Sequence, residues 1–212
     1  MIGILDYGMG NLRSVQKALE RIGADASIVS DVDAIQSCDR LVLPGVGAFS
    51  DGMQHLRGAG FVEPIRDYLV TGRPVLGICL GLQLLFDSSA EGAADASQPV
   101  QGLGVLPGVV QRFHEDQGPD QPRLKVPHMG WNSIDFAPNC PLFHGLCPGD
   151  HVYFVHAYHC RPSDPAHVAA TTTYGQPVCA AVHRDNLWAT QFHPEKSQHV
   201  GLTILNNFAS TT

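Results

Sequence analysis

A cysteine between two glycines is the residue best suited to covalent chemistry. The run Gly77-Ile78-Cys79-Leu80-Gly81 follows an apolar stretch and precedes Leu82-Gln83-Leu84-Leu85-Phe86, which is typical of a helix. This is the pattern of a nucleophile elbow, a sharp strand-to-helix turn whose glycines allow close backbone approach. Such a turn would place the sulfur at a helix N-terminus, where free N–H groups and the helix dipole favour the thiolate. The pattern alone leaves open a core cysteine beside a tight turn.

A histidine and a glutamate near the other end of the chain could activate that sulfur. His193 and Glu195 flank Pro194. Proline fixes its own φ and disfavours helix at the preceding residue, so an extended turn is predicted here. A carboxylate at this spacing can orient an imidazole that serves a thiolate. We therefore predict a catalytic triad of Cys79, His193 and Glu195, and we interpret the other histidines as structural.

A glycine-rich turn offers a third chemical element. Gly45, Val46 and Gly47 follow Pro44 at the end of an apolar run. Two glycines around one residue allow backbone N–H groups to form an anion-binding concavity. In a thiol acyl-transfer reaction, this concavity would hold the tetrahedral oxyanion, with the N–H of Leu80 as a second donor. A plain strand-to-helix turn is the alternative interpretation.

Alternating strand and helix patterns must position these groups. In the first half, strands are predicted at residues 2–6, 26–29, 40–43 and 74–78, and helices at 12–22, 61–70 and 82–86. This alternation predicts an α/β fold with a mostly parallel sheet covered on both faces.

The second half is predicted to contain polar loops and short strands that pair antiparallel on one side of the sheet. The loops are predicted at 88–101 and 115–122, the strands at 105–113, 152–158, 166–173, 178–183 and 187–192, and a final helix at 197–208. Residues 1–212 are predicted to form a single domain.

Composition excludes several classes of function. The 212 residues carry a formal net charge of −7, whereas a protein that tracks nucleic-acid phosphates needs a basic footprint. No run reaches the roughly 20 apolar residues of a membrane span, and the N-terminus lacks a basic signal-peptide region. The six cysteines are scattered without a C-x-x-C pair, which favours reduced thiols in a cytoplasmic protein. No metal-binding or dinucleotide motif is present, so no cofactor is expected.

Three motifs together resemble those of the class I, or triad, glutamine amidotransferases: PGVGAF, GICLGLQLLF and QFHPEKS. The further motifs DYGMGN, PHMGWN and YFVHAY are similar to those of the glutaminase subunits of imidazole glycerol phosphate synthases, which act in histidine biosynthesis. The resemblance extends from Ile2 to Phe208 and implies a flavodoxin-like α/β/α sandwich. Residues 88–101 form a longer segment than is usual in this family.

The resemblance also implies roles for individual residues. Cys79 would attack the carboxamide of L-glutamine, His193 would act as general base and acid, and Glu195 would orient His193. The oxyanion loop would need a peptide reorientation to become productive. The substrate-binding groups would be Gln83, Glu91 and the backbone at Ala157 and Tyr158. A surface amide is the alternative interpretation for Gln83.

The ammonia released by such an enzyme needs an acceptor, and the amidase fold leaves no residues for one. The resemblance implies a separate (β/α)8-barrel cyclase subunit, which would use the ammonia to make imidazole glycerol phosphate and AICAR, and with which the chain would form a heterodimer. The residues implied to face it are Asn11, His128, Met129, Trp131, Tyr153 and Lys196. A core position is the alternative for Trp131.

Two other functions stay open at this point. One is a glutaminase subunit for a different synthase, of the anthranilate, aminodeoxychorismate or pyridoxal phosphate type, against which PHMGWN and YFVHAY count. The other is a non-catalytic flavodoxin-like binding or sensing domain. The intact set of Cys79, His193 and Glu195 argues against that alternative.

Overall fold

A computed structural model describes residues 1–93, 95, 97–118, 123–137 and 139–211. Among these residues it contains fourteen strands and five α-helices. The strands are β1 (Ile2–Leu5), β2 (Ala26–Val29), β3 (Arg40–Gly45), β4 (Val75–Cys79), β5 (Phe86–Ser89), β6 (Val100–Gln101), β7 (Leu106–Arg112), β8 (His128–Ser133), β9 (Asp135–Phe136), β10 (His151–His156), β11 (Tyr158–Pro162), β12 (Val168–Tyr174), β13 (Gln176–Arg184) and β14 (Leu187–Thr190). The helices are α1 (Leu12–Arg21), α2 (Phe49–Gly58), α3 (Val62–Val70), α4 (Leu80–Leu84) and α5 (Gln198–Ser210).

The main sheet has the strand order β2-β1-β3-β4-β14-β13-β12-β9. Its first five strands are parallel, and the last three are added antiparallel at one edge. β3 and β4 lie in the middle, and β4 is buried along its whole length. A parallel strand with helices over both faces is expected to be continuously apolar, as β4 is. The predicted α/β architecture is confirmed.

Each face of the main sheet carries its own hydrophobic core. On one face, α1 and α5 cover β1 and β4 through Val15, Leu19, Ile204 and Phe208. The side chains of α1 that pack inward recur at helical spacing, and each fully buried one contributes about 1.5–3 kcal/mol. On the opposite face, α2, α3 and α4 form the second core. The two layers of helices cover both faces of the sheet and leave its carboxyl edge free for a site.

The segment before the predicted 61–70 helix is itself helical, which the sequence pattern did not reveal. α2 contains Gly52 and Gly58, and glycine is a poor helix former. Packing favours Gly52, because a Cβ there would lie 3.1 Å from side-chain carbons of Leu80 and Leu84. The close contact between α2 and α4 therefore favours a glycine, and that glycine makes the helical pattern of α2 hard to recognise in the sequence.

Strand assignments in the middle of the chain also differ from the predictions. The predicted helix at 82–86 is shifted, since α4 begins at Leu80 and Phe86 already belongs to β5. The segments predicted as strands at 105–113 and 152–158 do not join the main sheet. They build two smaller sheets, β11-β7-β5-β6 and β10-β8, and β8 itself was not predicted.

The two predicted loops fall partly outside the described residues. Within 88–101, Ser89 ends β5 and Val100 begins β6, so this segment is a connection between two antiparallel strands. Residues 94 and 96 of that segment, and 119–122 of the predicted loop 115–122, lie outside the described part of the chain. In the described ranges, no helix has both the length and the apolar character needed to cross a membrane.

Candidate active site

The predicted elbow is present at the junction of β4 and α4. Cys79 has φ 55° and ψ −106°, a left-handed conformation that costs a non-glycine residue about 1–3 kcal/mol. A Cβ on Gly77 would lie 2.9 Å from the Cβ of Ala189, and one on Gly81 would overlap the carbonyl oxygen of Leu43. The predicted steric need for both glycines is confirmed. The strained turn holds the cysteine at the carboxyl edge of the sheet.

His193 and Glu195 form a buried pair beside this turn. His193 is extended, with φ −99° and ψ 98°, and Pro194–Lys196 forms a short 3-10 turn. The His193 Nδ1 and Glu195 Oε1 atoms are 2.7 Å apart, and both side chains are only 2% exposed. Ser197 donates its hydroxyl to the carbonyl oxygen of His193 at 2.7 Å and so anchors the turn. The carboxylate is therefore placed to orient the imidazole ring.

The charge of this imidazole depends on its two neighbours. Burial alone lowers the pKa of His193, but interactions with Cys79 and Glu195 outweigh it and raise the pKa to about 9. An opposite charge close to a titratable group favours its charged form. His193 is therefore protonated at neutral pH. Among the described residues, its Nε2 atom has no hydrogen-bond partner and is free to serve a reacting group.

Sheet register brings the cysteine and the histidine together, although they are far apart in sequence. β14 runs parallel to β4, with Thr190 opposite Ile78, so both strands end at the same edge. The chain leaves β14 and reaches His193 within three residues. The backbone N–H of His193 donates to the carbonyl oxygen of Tyr153 at 3.0 Å, which fixes the turn to β10. Open α/β sheets bind their ligands at this edge.

A cavity of about 300 Å³ opens between these groups. It is large enough for a small molecule of amino-acid size. Its lining includes most of the predicted catalytic and substrate-binding residues, namely Val46, Gly47, Cys79, Leu80, Gln83, Glu91, Ala157, Tyr158 and His193. Of the predicted contacts with a partner, Lys196 also borders it. Gly45 and Glu195 are outside this lining and support Cys79 and His193 from behind.

Gln83 is buried, so the alternative of a surface amide is wrong. Its Nε2 donates to the carbonyl oxygen of Tyr158 at 3.0 Å and to Oε1 of Gln191 at 3.2 Å. The carboxylate of Glu91, which also lines the cavity, accepts the N–H of Phe49 at 2.9 Å. Burial raises the pKa of Glu91, and this hydrogen bond partly opposes the shift. Both polar side chains are thus held at the cavity by protein contacts.

The predicted oxyanion loop lies directly beside the elbow. Gly45 stands opposite Cys79 in the pairing of β3 with β4. A Cβ on Gly45 would lie 2.9 Å from the Cβ of Leu80, so a larger residue would push the two turns apart. Val46 is 39% exposed, and Gly47 has φ 102°, which favours glycine. The loop conformation that would bind an oxyanion stays a prediction.

The residues predicted to face a partner lie in two different environments. Met129 and Trp131 on β8 are 62% and 47% exposed, Asn11 and Lys196 are exposed, and Tyr153 is half-buried. Trp131 therefore does not occupy a core position. His128 is only 3% exposed, because neighbouring residues of a strand point to opposite faces. The prediction that the His128 side chain faces a partner is corrected: it lies inside, against Phe154 and Tyr174.

Several residues of the site were missed from the sequence. Pro127, Val155 and His156 line the cavity, and Gln191 is buried behind Cys79. Gln191 belongs to the run QFHPEK, in which His193 and Glu195 were predicted to be catalytic. The spacing of a glutamine amide from these residues does not by itself indicate a catalytic role. The position of Gln191 at the end of β14, beside the elbow, could have suggested it.

The sequence of this chain is similar to those of known proteins. The family model for class-I glutamine amidotransferases matches residues 3–211. The chain belongs to this family. It is 56% identical over 208 residues to imidazole glycerol phosphate synthase subunit HisH of Syntrophotalea carbinolica, with 98% of each chain covered. It is 51% identical to the subunit of the same name from Geobacter sulfurreducens, covering 98% of this chain and 97% of the relative.

Solved structures agree with this membership at the level of the fold. A structure described as a glutamine amidotransferase superposes with a TM-score of 0.71 at 22% identity and covers 99% of both chains. The PurLQS structure from Thermotoga maritima also has a TM-score of 0.71, at 18% identity, with coverage of 98% of this chain and 96% of that one. The flavodoxin-like α/β architecture of this amidotransferase is thus shared across distant sequences.

Proposed function

We propose that the chain is the glutaminase subunit of an imidazole glycerol phosphate synthase in histidine biosynthesis. It hydrolyses L-glutamine to glutamate and ammonia and delivers the ammonia to a cyclase subunit. The observation that carries the chemistry is the strained Cys79 elbow sharing one cavity with His193, which is paired with Glu195 at 2.7 Å. Relatives named as subunits of this synthase match nearly the whole chain at 50–56% identity, which supports the pathway.

In the first half of the reaction, the Cys79 thiolate attacks the side-chain carboxamide carbon of glutamine. A carbon–sulfur bond forms, and the carbonyl electrons move onto the oxygen, which is held by N–H groups of the Gly45–Gly47 loop and of Leu80. The protonated Nε2 of His193 gives its proton to the departing nitrogen. The carbon–nitrogen bond breaks, ammonia leaves, and a γ-glutamyl thioester remains.

In the second half, the now neutral His193 takes a proton from a water molecule that attacks the thioester. The carbon–sulfur bond breaks, Cys79 leaves as the thiolate, and glutamate is released. His193 returns to its protonated form, so the pair is restored. Glu195 keeps the ring oriented and stabilises its positive charge in both halves, as expected of an orienting carboxylate.

The remaining polar groups of the cavity select glutamine. Gln83 and Glu91 both line the cavity and would bind the α-amino and carboxylate end of glutamine, together with backbone at Ala157 and Tyr158. Tyr158 already uses its carbonyl oxygen to hold Gln83 at 3.0 Å, which supports a role in shaping this end of the cavity.

The partner is a (β/α)8-barrel cyclase that docks over the cavity mouth and receives the ammonia. Exposed Met129 and Trp131 have the character of interface anchors, and the amidotransferase would form a heterodimer through them. Asn11, Tyr153 and Lys196 would complete this surface. Because the loop around Val46 would reach its productive conformation only with the partner bound, the isolated subunit is expected to be slow.

The substitution Cys79→Ala tests the reaction. In the complex reconstituted with the cyclase, this variant is expected to lose glutamine-dependent synthesis of imidazole glycerol phosphate, because no thioester can form. Synthesis from added ammonium salt should continue, since the cyclase does not use the thiol. Product formation with each nitrogen source is the measurement, and Cys147→Ala, which removes an exposed thiol, is the matched control.

Glutamine-dependent turnover by Cys79→Ala would contradict the assigned nucleophile. Loss of synthesis from both nitrogen sources, with the two chains still co-purifying, would contradict the division of labour between the subunits. Failure of the two chains to co-purify, for the wild-type protein, would contradict the proposed partner.

A further inference from the structure

A buried carboxamide lies directly behind the nucleophile. Gln191 follows β14 and has no solvent exposure. Its Nε2 atom lies 3.9 Å from the sulfur of Cys79, within the range of a weak N–H to sulfur hydrogen bond. Its backbone N–H donates to the carbonyl oxygen of Ala180 at 2.8 Å, which fixes the residue to β13. The backbone of Gln191 is thus fixed to the main sheet.

The hydrogen bonds around Gln191 determine which end of its amide faces the sulfur. Its Oε1 accepts from Nε2 of Gln83 at 3.2 Å. A carboxamide has one oxygen and one NH₂ group, so accepting through the oxygen turns the NH₂ group the other way. Gln83 is fixed in turn by its bond to the carbonyl oxygen of Tyr158. This chain of contacts ends with an N–H group directed at Cys79.

We propose that Gln191 is a further functional residue of the glutaminase, whose N–H group stabilises the thiolate form of Cys79 and fixes the position of its sulfur. A hydrogen bond to a charged acceptor is stronger than one to a neutral acceptor, and more so in a buried site. The interaction is therefore greatest when the sulfur carries its charge, and it weakens when the sulfur becomes part of the neutral thioester. This inference rests on the proposed role of Cys79 as the nucleophile.

Gln191 acts on the sulfur rather than on the substrate. It is absent from the lining of the cavity, which Cys79 and Gln83 share. Gln83 is also held by its bond to the carbonyl oxygen of Tyr158, which should remain when Gln191 is changed. Loss of the Gln191 amide should therefore lower kcat and leave KM for glutamine close to the wild-type value.

The test is the pH dependence of Cys79 alkylation by iodoacetamide in the purified chain, followed by mass spectrometry of the Cys79 peptide. In Gln191→Met, which keeps the length of the side chain but has no N–H group, half-maximal alkylation should move about one pH unit higher. In Gln191→Asn, which keeps the polarity and draws the amide back by one carbon–carbon bond, the shift should have the same direction. In the complex with the cyclase, kcat of both variants should fall about tenfold.

Two controls accompany these variants. Gln16→Met removes another carboxamide, one on α1 that donates to the carbonyl oxygen of Ala26 in β2 at 3.1 Å. It should leave the alkylation profile of Cys79 unchanged. The exposed Cys147 serves as an internal reference in every sample, because its alkylation should not depend on Gln191. Thermal melting establishes that each variant is folded.

Alkylation profiles of folded Gln191→Met and Gln191→Asn that overlay the wild-type profile would overturn the inference. A rise in KM with unchanged kcat would also overturn it, since that result would place Gln191 in substrate binding. Neither outcome would affect the proposed function, which fails separately if Cys79→Ala still hydrolyses glutamine. If Gln191→Met does not fold, the Gln191→Asn profile decides the matter.

Discussion

Two groups of buried histidines in this protein have opposite charge behaviour. His193 packs beside the elbow, and its pKa is raised to about 9. His128 and His156 on the β8–β10 ribbon are similarly buried, but burial lowers their pKa values to about 4 and about 3. Burial alone disfavours the charged imidazole in both places. The difference therefore comes from the partners of each ring.

The hydrogen-bond partners of the ribbon histidines are all neutral. Asn132 donates from Nδ2 to Nε2 of His128 at 3.3 Å, and His128 Nδ1 lies 3.0 Å from Nε2 of His156. His156 Nδ1 then lies 2.8 Å from the carbonyl oxygen of Tyr158. Because Asn132 donates at one end and a carbonyl accepts at the other, both rings are neutral and protonated at Nδ1. They form a fixed support for the cavity wall.

At the elbow, Glu195 and Cys79 replace those partners, and their interactions raise the pKa of His193. Glu195 lies two residues from His193 in sequence and contacts it at 2.7 Å. Together, Cys79 and this nearby carboxylate raise the pKa of the buried imidazole and favour its charged form. Burial therefore does not decide the charge of a histidine in this protein; at His193 the interactions with Cys79 and Glu195 outweigh it.

The largest expected effect comes from removing one of the two groups that raise the pKa of His193. In Glu195→Gln, the ring of His193 loses its anionic partner, and glutamine hydrolysis in the complex with the cyclase should fall on the order of 10³–10⁴-fold. Steady-state kinetics of ammonia-dependent and glutamine-dependent synthesis measure this. Glu115→Gln is the matched control, because Glu115 pairs with Arg123 at 3.0 Å on the surface.

Near wild-type hydrolysis by Glu195→Gln would contradict the claim that the carboxylate distinguishes His193 from the ribbon histidines. Equal losses of synthesis from glutamine and from ammonium salt would point instead to damage at the contact between the subunits.

A second, smaller effect concerns the ribbon at acid pH. His128 has its ordinary pKa of 6.5 in the unfolded chain and about 4 in the folded protein. The unfolded chain therefore binds more protons between these values, and the free energy of unfolding should decrease as the pH falls through this window. We expect a loss on the order of 2 kcal/mol from His128, measured by urea denaturation at a series of pH values.

The substitution His128→Asn sharpens this test. An Asn Nδ2 group can replace the Nδ1 donor to His156, but it does not titrate. Loss of ring stacking on Phe154 and Tyr174 should lower stability at neutral pH, whereas the acid-dependent decrease should become smaller. His199→Asn, at an exposed position, should retain the wild-type decrease. An unchanged acid dependence in His128→Asn would show that His128 is not kept neutral by folding.

The parts of this site that were predictable from sequence are those with a local rule. Gly77 and Gly81 are required by sterics around Cys79, and Pro194 fixes the turn between His193 and Glu195, so short spacings carried the information. The parallel half of the sheet was predictable for the same reason, because its strands read as continuous apolar runs. Those runs set the carboxyl edge where the triad assembles.

The parts that were not predictable depend on tertiary contacts. Gly52 obscures the helical pattern of α2, and only the close contact with α4 explains a glycine there. The role of Gln191 depends on its contacts with Gln83 and Cys79, which are distant in sequence. His128 was placed on the surface with Met129, although alternation along β8 turns it inward. The single domain and the cytoplasmic location stay predictions.

The smallest expected effect is a loss of stability above neutral pH that depends on His193. The pKa of His193 is about 9 in the folded protein and has its ordinary value of 6.5 in the unfolded chain. The folded protein therefore binds more protons than the unfolded chain between these pH values. The stabilisation from its charged form is complete below pH 6.5 and is lost as the pH rises towards 9. Between about pH 6.5 and 8, the wild-type protein should lose on the order of 1 kcal/mol more than Glu195→Gln, measured by urea denaturation. Buried thiols such as Cys160 and Cys179 also reduce stability at high pH, but they are common to both proteins and cancel in the difference. Parallel stability curves for the two proteins would mean that Glu195 does not hold the charge on His193, and the contrast with the ribbon histidines would then rest on Cys79 alone.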